Sequence, residues 1–550
     1  MKRNIIKIFA VFASILAAAA CTDKLDIDQH GVDDMSTFYT TDENVLSAEA
    51  EMFISFRQTP TGGSYLGLPF YGAMDWAWRN CKDIPSDDAW SGGGGRGENV
   101  PGDQLSEWSF TSQHDHLVVY YTLLYCIIYR ANVILDHTTE GQSEIADMVR
   151  AEARVIRNFA NFELVTLWGT APLIDHCLQP GEYKVGNSTP EQMWAFMEED
   201  LGKAIDSGDL PEKASVYDRE QWRVTKQFAQ ALLGKVYLWQ GKSSEAAAEF
   251  EQVINSGKYK LFEGEYGDMF HAGNDYNCEN MFEINRIPDA STSQGFTFRG
   301  IYFAWRADKF SFAGSGTKGS ASDYFETSGW GIAVPTQQLY DAFMKEEGPD
   351  GYRFNQTLRS YSQYKKDYGL EMVNGAVALG DSVWYWKNRY IKSDREGISS
   401  NRSFQSIYMR YAEVLLLAAE ANLAAGNQSK ADEYYNQIRI RAKLPTRTNV
   451  TLEQIKNEKR LELCGEGFRL QDLLRWGQAD CEKYLGPDGE KLKNGIPNVV
   501  CTDGTIKIVY HTDYYTSKND YGWHAGKNEH FPIPAEEFLV NPNIKQNIGY

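Results

Sequence analysis

Trp76, Trp78, Trp90, Tyr302, Trp305 and Trp330 stand in two stretches that lack helical periodicity, with Asp87 and Asp88 between Trp78 and Trp90. These residue types suit one chemistry in particular. A sugar ring presents a face of C–H groups and a rim of hydroxyls. It is therefore held by a flat aromatic platform with fixed acceptors beside it, and a carboxylate accepts from paired hydroxyls. Tryptophan offers such a platform at little cost in conformational freedom. Covering about 100 Å² of apolar sugar and indole surface contributes about 2–3 kcal/mol before the costs of association. Two platforms thus suit a weak, releasable binder, with a Kd on the order of 10 μM to 1 mM.

Other chemistries are poorly served. A glycoside hydrolase needs two carboxylates held apart across the scissile bond, and the adjacency of Asp87 and Asp88 gives no sign of that separation. No catalytic triad or zinc-binding HExxH helix is legible. Gly92 to Gly95 lack the following Lys-Ser/Thr and the strand-to-helix setting of a phosphate loop. No ligand spacing supports a bound calcium, so no cofactor is expected. A net charge of −20 in 550 residues argues against nucleic acid, whose sequence-independent affinity comes from clustered Lys and Arg. Discounting Cys21, the seven remaining cysteines form no CxxC pair, and their pairing is open. With 14 Trp and 32 Tyr, the chain holds more aromatic surface than a helical core requires, which leaves some of it for a ligand.

The elements that must position these residues are mostly helical. Arg150 to His176 reads as an interior helix: Ala153, Ile156, Ala160, Leu164 and Leu167 recur at helical spacing beside a second stripe of Val155, Phe159 and Phe162. Arg150, Arg154, Arg157 and Asn161 leave one polar face, Gly169 supplies the end, and Pro172 forbids continuation. Leu117–Asp136 and Ile145–Trp168 read as an antiparallel pair, and Thr189-Pro190-Glu191-Gln192 caps the next helix. Residues 230–258 carry the tetratricopeptide pattern, with Leu233-Gly234, Tyr237, Gly241, Ala246 and Phe250 at its small and aromatic positions. There, Tyr237 and Phe250 are expected to fill the groove beside the next pair. The same offsets return at Ala419, Gly426, Ala431 and Tyr435. The chain therefore reads as a mostly α, tetratricopeptide-like array interrupted by an irregular, loop-rich insertion with some short strands, over 261–406. Residues 53–115 read as a long functional loop, and Thr451-x-x-Gln454 caps a helix expected to run on through NEKRLELCGEGFRLQDLLRWG.

Ahead of the array, Lys2, Arg3 and Lys7 precede an apolar run from Ile8 to Ala20 that is too short to span a bilayer, the pattern of a signal peptide. Cys21 follows, in the position of a lipidated cysteine, although Ala18 stands where a leucine is usual. Residues 1–20 are assigned to the signal, 21–50 to an acidic tether and entry segment, 51–260 to the first array region with its aromatic loop, 261–406 to the insertion, and 407–550 to the closing helices and tail. Together, residues 51–550 are expected to form one compact unit.

Four runs carry a family resemblance. RAEARVIRNFANFELVTLWGTAPLI, SDDAWSGGG, NEKRLELCGEGFRLQDLLRWG and the terminus FPIPAEEFLVNPNIKQNIGY are similar to signatures of the SusD/RagB-like outer-membrane lipoproteins, with Ile548 where the family ending has proline. The resemblance implies a cell-surface, outer-membrane nutrient-binding lipoprotein without catalytic activity. It implies glycan as ligand and, as partner, a SusC-like TonB-dependent transporter on which the lipoprotein acts as a lid. Within that family a RagB-like peptide importer is the alternative, and outside it a protein-interaction scaffold or a glycoside hydrolase.

Overall fold

The computed structural model describes residues 35–56, 74–271, 273–284, 305–320, 329–389 and 405–550. Cys21 and Tyr302 lie outside them.

The array is built from antiparallel helix pairs. Asp115–His137 packs along Glu144–Trp168, which packs in turn on Pro190–Ser207; Lys226–Trp239 pairs with Ser243–Asn255, and Tyr411–Ala424 with Gln428–Arg441. Asp115–His137 is long and apolar enough to cross a membrane, but 61% of its apolar window is buried inside the fold, as in a core helix. The expected capping box is present at Thr189, where the hydroxyl accepts from Gln192 N and the Gln192 amide oxygen accepts from Thr189 N; a second closes on Thr451 and Gln454. In the 226–255 pair a Cβ added to Gly234 would lie 2.6 Å from the Phe250 ring. Phe250 therefore packs onto Gly234 within its own pair, and the Ser243–Asn255 helix that carries it also packs on Tyr411–Ala424 of the next.

Three expectations change. Residues 53–115 are not one loop: Met74–Lys82 and Val100–Glu107 are helices. All nine residues of Met74–Lys82 are buried; Met74, Ala77, Trp78 and Cys81 do recur at helical spacing, but over too short a run beside glycine-rich loops to stand out. The polar face of the Glu144–Trp168 helix is itself partly buried, with Arg157 bonded to Asp200 and to Asn132. The run after Thr451 breaks into Leu452–Leu463 and Arg469–Trp476. Gly465 and Gly467 between them have positive φ, and a Cβ on Gly467 would run into the Trp78 indole nitrogen.

The 261–406 region contains short strands, as expected, and also the helices Gln337–Glu347, Tyr352–Thr357 and Tyr361–Tyr368. Asn280–Ile284 pairs antiparallel with Ser406–Arg410 across its base. A second hydrophobic core, separate from the helical one, gathers Trp90, Trp305, Tyr364, Trp384 and Trp386 over Leu492 and Ile496. The seven cysteines among the described residues are free thiols.

Candidate functional site

The two irregular stretches do converge. Gly93 N donates to Gly331 O at 2.7 Å and Ala307 N to Gly329 O at 3.0 Å, while Arg306 pairs with Glu98. Trp90 and Trp305 share the second core, and Trp76 meets Trp330 edge to face at 6.2 Å.

Convergence has not left these side chains open. Trp78 stacks on Phe159 at 5.7 Å, has Lys82 Nζ over its ring, and donates to Glu466 O. Trp90 donates to Asp381 Oδ2 at 2.6 Å and is 1% exposed. Trp76 and Trp305 are also buried, Trp305 against Phe312 and Tyr364, and only Trp330 is half-buried. The acidic pair is spent as well: Arg469 reaches both oxygens of Asp87 at 2.8 and 3.1 Å, and Arg460 Nε donates to Asp88 Oδ1 at 2.6 Å. Burial alone would raise the Asp87 carboxyl, but Arg460 and Arg469 reverse this and hold it at about 2. Asp87 and Asp88 are thus structural anions holding arginines in place, which corrects their assignment as acceptors for ligand hydroxyls. Trp78 and Trp90 likewise have no open face to serve as platforms.

The charged residues of the 451–477 run are spent in the same way. Arg410 bonds Glu279, Glu462 and Glu466; Arg353 bonds Glu347, Glu458 and Glu462; and Arg475 bonds Glu420 through both terminal nitrogens. Buried charges require such partners.

An open aromatic surface lies on the outer side of the second core. A cleft of about 390 Å³ is walled by Tyr514, Tyr515 and Tyr521, with His511 behind and Leu492 and Ile496 as its floor. Tyr515 stacks on Tyr521 at 4.7 Å, and His511 on Tyr514 at 5.2 Å. Arg96 ties the cleft to the glycine-rich loop: its guanidinium sits over the Tyr514 ring at 4.5 Å, donates to Tyr515 Oη at 3.2 Å, and binds both oxygens of Glu107. Thr512, Thr516, Ser517, Asp488 and Lys518 supply a polar rim. Half-buried rings with hydroxyl, carboxylate and ammonium groups around them can hold a polyhydroxylated ligand by stacking and hydrogen bonding. The sequence signal was available in HTDYYTSKNDYGW, which has the same mixture of aromatic, Asp and turn residues as the two chosen stretches.

The model described as "SusD family" matches residues 305–550, and that described as "Starch-binding associating with outer membrane" matches 98–238. The chain belongs to the SusD/RagB-like family. A SusD-like protein of Formosa agariphila is 25% identical over 516 residues, spanning 86% of this chain and 89% of the relative. The starch-binding protein SusD of Bacteroides thetaiotaomicron is 25% identical over 525 residues, spanning 86% and 85%. Among solved structures, a laminarin-binding SusD-like protein superimposes with a TM-score of 0.71 at 25% identity, over 92% of this chain and 99% of that one. Surface glycan-binding protein A of Bacteroides thetaiotaomicron, solved with laminarihexaose, gives 0.68 at 20% identity over 92% and 99% and shares the SusD fold.

Proposed function

We propose that this SusD-family protein is a cell-surface lipoprotein of the outer membrane, anchored through Cys21, that captures a glycan and passes it to a SusC-like TonB-dependent transporter. The observation that carries the ligand class is the tyrosine-walled cleft at 487–521. The relatives named for starch and laminarin support the same class. Catalysis is not part of the proposal, because the carboxylate pair singled out in the sequence is locked to Arg460 and Arg469.

The test is a binding panel by affinity electrophoresis and calorimetry with laminarin, starch and a peptide digest, on wild type, Tyr514→Ala and Tyr515→Ala. Retardation by a glycan with a Kd on the order of 10 μM to 1 mM, lost in both variants, is expected. Binding only to peptides, or new reducing ends in the glycan incubations, would overturn the proposal. For the anchor, Cys21→Ala should leave the protein soluble in the periplasm. An unmodified N-terminus on wild-type protein in membrane fractions would refute lipidation.

A further inference from the structure

A second cavity, of about 370 Å³, opens between the Gln337–Glu347, Leu452–Leu463, Arg469–Trp476 and Gln478–Leu485 helices. Its volume lies within the range of small-molecule sites, about 300–1,000 Å³. Its lining is of a different kind from the tyrosine cleft. Lys345, Arg447, Lys456, Arg460, Arg469 and Lys483 all face it, in a chain whose net charge is −20.

The cations are held from behind. Arg460 spends Nε and Nη2 on the Asp87–Asp88 pair, and Arg469 spends Nε and Nη2 on Asp87; neither Nη1 has a hydrogen-bond partner among the described residues. Lys456 is held by Asp480 at 2.8 Å and Arg447 by Glu346 at 2.6 Å. Lys345 and Lys483 stand exposed at the rim. The carboxylates on the cavity wall itself are Glu346, bonded to Arg439 and Arg447, and Glu453, which is 67% exposed and turned to Lys456. A guanidinium fixed along one edge presents its other N–H groups in a rigid fork, the geometry that matches an oxyanion. Two neutral amides complete the lining. Asn457 makes no side-chain hydrogen bond among the described residues, and Gln454 uses only its oxygen, on the Thr451 cap. Free amides beside fixed cations suit hydroxyls beside a carboxylate or sulfate.

We infer that this cavity is a second binding site, selective for an anionic saccharide, a uronate or a sulfated sugar, whose oxyanion is received by the Arg460 and Arg469 forks and whose hydroxyls meet Asn457 and Gln454. The inference rests on the saccharide reading of function but uses a different surface, so the two fail separately. It also gives Asp87 and Asp88 a role: they orient the forks.

The experiment is calorimetry on the full mature chain with four probes: a sulfated oligosaccharide, a uronate oligomer, a neutral oligosaccharide of equal length and inorganic sulfate. The expected result is binding of one anionic oligomer at least tenfold tighter than its neutral counterpart, weakening as salt rises. Lys345→Glu/Lys483→Glu, exposed changes that spare the fold, should lower that affinity about tenfold, while Tyr515→Ala leaves it unchanged. Asn457→Ala should weaken the oligomer and not sulfate. Equal affinity for neutral and anionic oligomers, loss of anion binding in Tyr515→Ala, or full affinity in the double reversal would overturn the inference. Sulfate bound as tightly as either oligomer would reduce the site to a simple anion hole and overturn the saccharide assignment.

Discussion

Residues 74–92 and residues 487–521 are both rich in aromatic and acidic side chains, yet the structure uses them in opposite ways. In the first, Trp78 and Trp90 have their ring nitrogens bonded to protein acceptors, and Asp87 and Asp88 are paired with arginines, so these groups are committed to the fold. In the second, three tyrosines stand half-buried around open volume, beside threonine and serine hydroxyls. The lesson is about saturation. An aromatic residue becomes a ligand platform only where packing leaves part of its surface at open volume, and composition does not record where packing stops.

The contrast can be broken from the buried side first. Arg410→Ala would strip a fully buried cation from Glu279, Glu462 and Glu466, and urea denaturation should show a loss of about 3–5 kcal/mol, since carboxylates are left uncompensated. A loss within experimental error would mean water enters this network. Trp78→Ala should cost about 3–5 kcal/mol by the same assay, whereas Tyr515→Ala should cost less than about 1 kcal/mol and remove glycan binding. Similar costs for the two would erase the distinction between core and platform.

Acid should sharpen it. Burial works to raise the Glu420 carboxyl, but Arg475 and the Trp476 indole hold it at about 2 against an ordinary 4.5. A depressed folded pKa contributes stability that is present above the unfolded value and is lost as pH falls through the folded one. The stability gap between wild type and Glu420→Gln should therefore be widest above pH about 4.5 and narrow by on the order of 3 kcal/mol toward pH about 2. A gap independent of pH would show that Glu420 is not charged in the fold. A further loss is expected from Gly467→Ala, where a positive φ and the approach to Trp78 combine; calorimetric melting should report about 1–3 kcal/mol.

The array was legible because its helices alternate faces. Stripes at Ala153, Ile156 and Ala160, the cap at Thr189 and the small residues at Gly234 and Ala246 each state a local rule that packing then obeys. Met74–Lys82 was less so, because its apolar stripe at Met74, Ala77, Trp78 and Cys81 spans only nine residues and is flanked by loop-like sequence. No spacing within either irregular stretch announces that the two meet through Gly93 and Gly331. No local signal shows the cleft to be open, because Tyr514 and Tyr515 stand in a run whose openness depends on Leu492 and Ile496 beneath it. Asp87 and Asp88 misled because nothing local announces partners at Arg460 and Arg469, more than 370 residues away along the chain.

The strand pair between Asn280–Ile284 and Ser406–Arg410 has a consequence for how this chain can vary. The polypeptide leaves the helical array and returns to it at hydrogen-bonded neighbours, so whatever lies between closes on a fixed neck. Lengthening a loop whose ends are already joined costs only about 0.6 kcal/mol per doubling. The neck does not make the segment a free cassette, because Arg353 and Lys387 within it hold Glu458, Glu462 and Glu466 of the closing helices; length can change between these anchors while the tyrosine cleft at 487–521 stays as it is.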